Sequence, residues 1–178
     1  YISRNDWAPD VKRSINQFMR SCAHWPNAYV VFDFDNTCSI FDIEEQLEIH
    51  QLKTMAFALQ PDELYEVLAT GLDTNADRMG DRIHDICTAY GKLHQTYGPF
   101  TAEGVKESVQ KTMQEDQQWK EFAPKMACLY DAVYQNMGSD FAYQWILYWF
   151  SGMSEKEVYQ LSYRSCRQYS KQPTVFET

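Results

Sequence analysis

Basic residues are the minority among the charged side chains of this chain of 178 residues. Lys and Arg number 16 against 25 Asp and Glu, which gives a formal net charge of −9 and a sequence pI near 4.8. Nucleic acids and anionic membranes attract basic surfaces, so we expect neither as a partner. The sequence also contains no apolar run long enough to span a membrane.

The cysteines do not have the spacing of a metal site. None of the five forms a C-x-x-C pair, and no His lies at a zinc-like distance from one of them. We therefore expect mostly buried thiols and no zinc. Internal repeats and low-complexity linkers are missing as well.

No signal peptide is visible, although the chain begins at Tyr1 rather than at Met. We expect a trimmed N-terminus, and this expectation favours an exported or periplasmic location over a cytoplasmic one.

The segment 29–37 reads Tyr-Val-Val-Phe-Asp-Phe-Asp-Asn-Thr and carries the chemistry of the chain. Its first four residues are strand formers without a polar interruption, which predicts a strand buried on both faces of a parallel sheet. Open α/β sheets bind ligands at the carboxyl ends of their strands. Asp33 and Asp35 stand at that end.

Residues two apart in an extended chain point to the same side, so Asp33 and Asp35 can converge on one substrate. One carboxylate can attack an electrophile while the other moves a proton. A hard cation such as Mg²⁺ takes oxygen ligands and offsets the repulsion between a carboxylate and a phosphoryl group. The alternative is that both are surface turn acids that follow a core strand.

A hydrophobic strand followed by Asp33-x-Asp35-x-Thr37 resembles the first motif of the haloacid-dehalogenase-like (HAD) hydrolases, which are mostly phosphatases. The resemblance implies that Asp33 is the nucleophile that becomes an aspartyl-phosphate, and that Asp35 is the general acid and base. It also implies that both bind Mg²⁺, Asp35 through its backbone carbonyl. Thr37 is then a substrate-side residue that helps to fix the loop.

The context around the motif resembles the phosphoserine-phosphatase branch, and within it the phosphorylcholine-phosphatase-like group. In that group a pair of acids at the place of Glu44 and Glu45 contributes to the choline site. Ser39 and Ile40 stand where the group has Tyr and Arg, and this difference argues against choline itself. The alternative for Glu44 and Glu45 is a structural role at a helix N-terminus, where acids are favourable.

The rest of the chain predicts helices and no convincing strand between residues 41 and 170. The predicted helices are 10–23, Phe41 to about Leu59, 61–70, Asn75 to about His94 with interruptions at Gly80 and Gly91, Ala102 to about Tyr134 with a break at Pro124, and Ser154 to about Gln168. Trp145, Tyr148 and Trp149 form an aromatic cluster that is read either as core or as the wall of a pocket.

These assignments predict an α/β, HAD-like Rossmannoid core with a helical cap inserted after the first motif. Residues 1–40 hold the start of the core, residues 41–170 form the cap, and residues 171–178 return to the core with a strand that begins near 174. Only the first core strand lies in this chain, which is itself mostly α. The Ser or Thr, the Lys and the distal acid pair of the family are not in it, so we expect the remainder of the core, on the same or a companion chain, as a partner.

The predicted function is Mg²⁺-dependent hydrolysis of a small phosphomonoester, either phosphocholine-like or phosphoserine-like. One alternative is a catalytically incomplete HAD fragment or a non-catalytic binding module. A weaker alternative is cleavage of carbon–halogen or phosphonate bonds, and Asp35 argues against dehalogenation because it suits protonation of a leaving oxygen. The phosphatase assignment requires residues 29–34 to lie in a sheet, with both carboxylates facing one cavity.

Overall fold

The chain divides into two compact units, Tyr1–Ile40 and Phe41–Thr178. The computed structural model describes residues 7–27, 29, 31–33, 35, 37 and 43–171. These residues are mostly helical, as predicted, and none of them forms a strand. The sheet of a HAD-like core is therefore not shown. No helix within the described ranges combines the length and the apolar character that crossing a membrane requires.

The first unit contains helix α1 (Pro9–Cys22), which confirms the helix predicted over 10–23. Pro9 opens it, because a first-turn proline has the backbone angle of a helix and needs no hydrogen-bond partner for its nitrogen. No residue of α1 is buried, and Phe18 is 66% exposed. Ile15, Met19 and Cys22 of α1 are half-buried, so this helix has only a partly covered apolar side within its unit.

The strand predicted to begin at Tyr29 is not formed by the described residues of that segment. Tyr29, Val31 and Phe32 have irregular backbone and are 85%, 79% and 71% exposed. A strand requires a neighbour whose backbone completes its hydrogen bonds, and the described residues offer no such neighbour. Residues 30 and 34 of the predicted strand lie outside the described residues.

The second unit is a helical bundle whose core lies between its longest helices. Its helices are α2 (Ile43–Thr54), α3 (Leu64–Ala69), α4 (Met79–Tyr97), α5 (Glu107–Glu115), α6 (Gln117–Met137), α7 (Ser139–Trp145) and α8 (Glu155–Tyr169), with 3₁₀ turns at Ala76–Arg78 and Ile146–Phe150. Helix α4 packs on α6, α2 packs on α8, and α6 packs on α7. Phe57, Tyr90, Phe122, Trp145 and Trp149 are the largest side chains of the core.

Helix α2 ends at Thr54, five residues before the predicted end. Met55 adopts a left-handed conformation with φ 50°, and the N–H of Ala56 donates to the carbonyl of Gln51 at 3.0 Å. Met55, Ala56 and Phe57 are fully buried. A helix buries one face only, so consecutive buried residues require the irregular path that the chain follows here.

The end of α2 is fastened to the loop before α5. The N–H of Val105 donates to the carbonyl of Thr54 at 2.8 Å, and Gln114 Nε2 donates to the carbonyl of Lys53 at 3.0 Å. Gly104 allows this approach: its φ is +73°, and a Cβ there would lie 2.6 Å from the Thr54 carbonyl oxygen. The orientation of α2 is thereby set from its C-terminal end.

The interruption predicted at Gly80 falls two to three residues earlier. Asp77 and Arg78 have φ 46° and 57°, and α4 begins directly after them at Met79.

The helix breaks predicted at Gly91 and Pro124 are wrong. Helix α4 runs through Gly91, and Pro124 lies inside α6. The break falls instead at Asp116, whose carboxylate accepts a hydrogen bond from the N–H of Gln118 at 2.8 Å and caps α6. Pro124 is exposed while residues on both sides of it face the core, so tertiary packing outweighs the hydrogen bond that proline removes.

Helix α8 begins where the sequence predicts. Ser154 and Glu157 form a capping box, in which the Ser154 N–H donates to Glu157 Oε2 at 2.7 Å and the Glu157 N–H donates to Ser154 Oγ at 3.3 Å. Leu161 of α8 packs on Leu47 of α2 in a small second cluster of buried residues. The return strand predicted near residue 174 lies outside the described residues.

Candidate functional site

A hydrogen bond joins two side chains of the predicted catalytic segment. Thr37 Oγ1 donates to Asp33 Oδ2 at 3.2 Å. This bond joins the first and last residues of the motif and fixes one carboxylate oxygen of Asp33, in line with the predicted role of Thr37 in fixing the loop. Asp33 is exposed and Asp35 is half-buried.

The Mg²⁺ assignment rests on Asp33 and Asp35 alone. Within the described residues no three His, Cys, Asp or Glu side chains are placed to hold a metal ion together. Mg²⁺ uses one or two carboxylates and fills its other positions with water and substrate phosphate oxygens. Two acids therefore fit the protein share of such a site, and both remain predicted ligands.

The predicted substrate acids Glu44 and Glu45 line a cleft in the second unit. Its volume is about 260 Å³. Three helices form its walls, and their lining residues are Glu44, Glu45 and Glu48 of α2, Tyr130, Asp131, Tyr134 and Gln135 of α6, and Tyr143 of α7. Glu44 and Glu45 also lie in the first turn of α2, where acids are favourable. The structural role at a helix N-terminus and the position in the cleft are therefore compatible with each other.

The cleft stays open because α2 buries its other side. Leu47 packs on Leu161, and Ser165 Oγ donates to the carbonyl of Gln46 at 3.4 Å, which ties α2 to α8. The side of α2 that faces the cleft carries Glu44 and Glu48, whose carboxylates are costly to remove from water. Charged side chains on that side keep α2 from closing against α6.

Tyrosines form the aromatic part of the cleft. The ring centroids of Tyr130 and Tyr134 lie 6.4 Å apart, and those of Tyr134 and Tyr143 lie 6.1 Å apart, with interplanar angles of 61° and 67°. These edge-to-face angles are typical of favourable aromatic pairs. Ring faces beside carboxylates are the surroundings in which an organic cation binds well.

The aromatic wall predicted as one reading of Trp145, Tyr148 and Trp149 is wrong. Trp145 and Trp149 are core residues, each 1% exposed, and Tyr148 does not line the cleft. The signal for the actual wall is present in the sequence: Tyr130 and Tyr134 are four residues apart, which places them on one face of α6.

The cleft is strongly acidic. It contains four carboxylates, and none of its eight lining residues is Lys, Arg or His. The pKa of Tyr130 is raised by burial first, then by Glu48, Tyr143, Glu44 and Glu45. Tyr130 therefore keeps its proton at neutral pH and can donate a hydrogen bond, and the carboxylates of α2 act across the cleft on α6.

Comparison of the chain with protein family models, with curated proteins and with solved structures found no match in any of the three. The HAD-like assignment therefore rests on the residues themselves, chiefly on Asp33, Asp35 and Thr37. The cleft is an observation of the fold and does not depend on that assignment.

Proposed function

We propose that this chain is the nucleophile-bearing part of a Mg²⁺-dependent phosphomonoester hydrolase whose substrate has a cationic leaving group. The observation that carries the proposal is that both predicted substrate acids, Glu44 and Glu45, line one acidic cleft with tyrosine walls. The residue pattern of Asp33, Asp35 and Thr37 supplies the phosphoryl chemistry.

The proposed reaction has two steps. Asp33 attacks the phosphorus atom and becomes an aspartyl-phosphate, while Asp35 protonates the departing oxygen. Asp35 then takes a proton from the water that hydrolyses the aspartyl-phosphate, which releases inorganic phosphate and restores Asp33. Bound Mg²⁺ supplies positive charge that lowers the repulsion between the phosphate and the Asp33 carboxylate.

The charge of the cleft distinguishes between the two predicted substrates. Phosphocholine-like and phosphoserine-like molecules both carry an ammonium group that the carboxylates attract. Serine also carries a carboxylate, and none of the described residues that line the cleft is basic and could bind it. The cleft therefore supports an amino alcohol without a carboxylate as the leaving group, in preference to serine.

The described residues of 29–34 lie in no sheet, so the requirement stated for the phosphatase assignment is not met by this chain as it stands. The proposal therefore requires the rest of a HAD-like core to supply the strands that pair with this segment. A Ser or Thr and a Lys for the phosphate, and a distal acid pair for the metal, come from later strands of the family's sheet. We place these on the remainder of the core, on the same or a companion chain. Without them the charge of the phosphate is poorly neutralised, and we expect little turnover.

A second candidate function is a catalytically incomplete module that binds an organic cation through its helical unit. The observation that favours it is the exposure of Tyr29, Val31 and Phe32, which lie in no strand. The two candidates differ in one respect: a companion segment with a Lys and an acid pair restores phosphate release only for the hydrolase.

Phosphate release from a panel of phosphomonoesters, with and without Mg²⁺, tests the proposed function. The panel begins with phosphocholine, phosphoethanolamine and phosphoserine, and the protein is the longest natural form of the chain. We expect Mg²⁺-dependent release that favours the first two. Asp33→Asn should abolish it, whereas Asp10→Asn, at an exposed acid of α1, should leave it unchanged. Full activity in Asp33→Asn would refute the nucleophile assignment.

A further inference from the structure

Helix α1 and the turns at its two ends carry a row of exposed residues with alternating steps of four and three. Such steps place residues on one face of a helix. We call this row the α1 seam, and its members are Trp7, Val11, Ser14, Phe18, Ser21 and Trp25. Its four large side chains are 45%, 42%, 66% and 62% exposed, in chain order. Contiguous apolar surface of this kind is typical of interaction sites.

The first unit does not cover the α1 seam. None of the described residues of this unit is buried. Ile15 and Cys22 lie beside the seam and are half-buried, so α1 packs within its unit through a neighbouring side. The seam itself is therefore open to a second molecule.

Large and small side chains alternate along the part of the seam that lies within α1. Val11 and Phe18 are large, and Ser14 and Ser21 are small. When two copies of this helix pack antiparallel about a twofold axis, Phe18 of each copy faces Ser14 of the other, and Val11 faces Ser21. Every large side chain then has space beside a small one. The Ser21 hydroxyl already donates to the carbonyl of Phe18 at 2.7 Å, so its burial leaves no donor without a partner.

The two ends of the seam are complementary in the same register. Trp7 of each copy faces Trp25 of the other, and aromatic pairs are favourable contacts. Asp10, in the first turn of α1, comes beside His24 of the other copy, which places an exposed acid next to an exposed base. Parallel packing would instead set Asp10 against Asp10 and His24 against His24. The charges therefore favour the antiparallel arrangement.

We propose that the α1 seam is a dimerisation surface, on which α1 of a second copy of this chain packs antiparallel. The surface goes beyond the proposed hydrolase reaction and uses none of its residues. Helix α1 has 14 residues and is about 21 Å long, so the contact is small. A small contact gives a weak dimer, which should form at roughly tens to hundreds of micromolar protein. In fluorescence measurements at low micromolar concentration the chain is then a monomer.

Sedimentation equilibrium over a series of protein concentrations tests the proposal, with the longest natural form of the chain. We expect a reversible equilibrium between monomer and dimer. Phe18 occurs twice in the contact, so Phe18→Ser should weaken the dimer by at least about tenfold. Tyr159→Ser is the matched control, because it removes a ring of 65% exposure from α8, outside the seam, and should leave the dimer unchanged. Equal effects of the two substitutions would overturn the proposal.

Exchange of the charges at the two ends of the seam tests the orientation. His24→Asp places two acids side by side at both ends of an antiparallel dimer and should weaken it by about 2- to 25-fold for the two exposed pairs. Addition of Asp10→Lys to this variant should restore the dimer, because opposite charges meet again. In a parallel dimer the double variant would bring like charges together at both positions and stay weak.

A monomer at every concentration up to about 1 mM, or a double variant that stays weak, would overturn the proposal. A monomer in which Phe18→Ser lowers the free energy of unfolding would assign the seam to a neighbour within the same molecule, and would overturn it as well. Sedimentation does not depend on turnover. A dimer without phosphate release from any substrate would therefore refute the hydrolase and leave this surface standing.

Discussion

Replacing Gln51 by Leu tests how α2 is held on the bundle. Gln51 is fully buried, and its Nε2 donates to the carbonyl of Ala56 at 3.0 Å and to the carbonyl of Trp149 at 2.9 Å. One side chain thus joins the helix that bears three of the cleft carboxylates to a residue 98 positions later in the chain. Leucine has a similar size and no hydrogen-bond donor.

The expected loss follows from the groups left behind. The buried carbonyls of Ala56 and Trp149 each lose a hydrogen-bond donor, and each loss lowers the free energy of unfolding by about 2 kcal/mol. The Gln51 Oε1 atom has no hydrogen-bond partner among the described residues, so removing it recovers about 1 kcal/mol. The free energy of unfolding should fall by about 3 kcal/mol, and the melting temperature by about 6–12 °C for a chain of this size.

Urea unfolding of the whole chain, followed by tryptophan fluorescence, measures this loss. Gln114→Leu is the matched control, because Gln114 makes a single bond to the carbonyl of Lys53 at the surface and should cost less than about 1 kcal/mol. The same losses in both variants, or a loss below about 1 kcal/mol in Gln51→Leu, would refute the reasoning.

Two further outcomes are expected. Burial and then Arg164 lower the pKa of His50, so the unfolded chain binds the proton more readily than the folded chain, and the free energy of unfolding should decline as the pH falls below about 6.5. His50→Gln should flatten this decline in the free energy of unfolding. A decline that is flattened only by His24→Gln, at an exposed position, would contradict the assignment. Phe57→Ala removes a fully buried ring, and the free energy of unfolding in urea should fall by about 3–5 kcal/mol. Phe18→Ala, at an exposed position, should lower it by less than about 0.5 kcal/mol, and equal losses in the two variants would contradict the described core.

Helix boundaries set by local hydrogen bonds were predictable from the sequence. Ser154 and Glu157 form their capping box with each other, so the four residues from Ser154 to Glu157 contain the whole signal for the start of α8. Gly71, with φ +75°, likewise lies just after α3, whose end at Ala69 is within one residue of the predicted end at 70. Both signals act within one turn of helix and need no information about the rest of the fold.

Boundaries that depend on tertiary packing were not predictable in this way. Pro124 reads as a break, yet the core contacts on both sides of it keep α6 continuous. Met55, Ala56 and Phe57 read as part of a helix, yet all three are buried in an irregular path. Met55 and Phe57 belong to the main core, and Ala56 belongs to the second cluster with Leu47 and Leu161. In each case the deciding contacts come from residues distant in the sequence.

In the candidate site, too, the residues close to the motif in sequence were predictable and the distant ones were not. Glu44 and Glu45 were identified from their place after the motif, and the structure puts both in the cleft. The opposite wall lies about 85 positions later, on Tyr130 and Asp131, and only the packing of the bundle brings the two stretches together. Sequence reasoning therefore located the α2 side of the cleft but did not identify Tyr130, Tyr134 and Tyr143 as its aromatic wall. Of its two readings of Trp145 and Trp149, the core is confirmed.

The exposed segment of the first unit links folding to the proposed activity. Burying a large apolar side chain contributes about 1.5–3 kcal/mol, so Tyr29, Val31 and Phe32 together leave about 5–9 kcal/mol unrealised. Neighbouring strands of a HAD-like core would recover this free energy, and under the proposed function those strands also carry the Lys and the distal acids. The same association would then complete the chemistry of Asp33, so burial of Tyr29, Val31 and Phe32 and phosphate release should appear together.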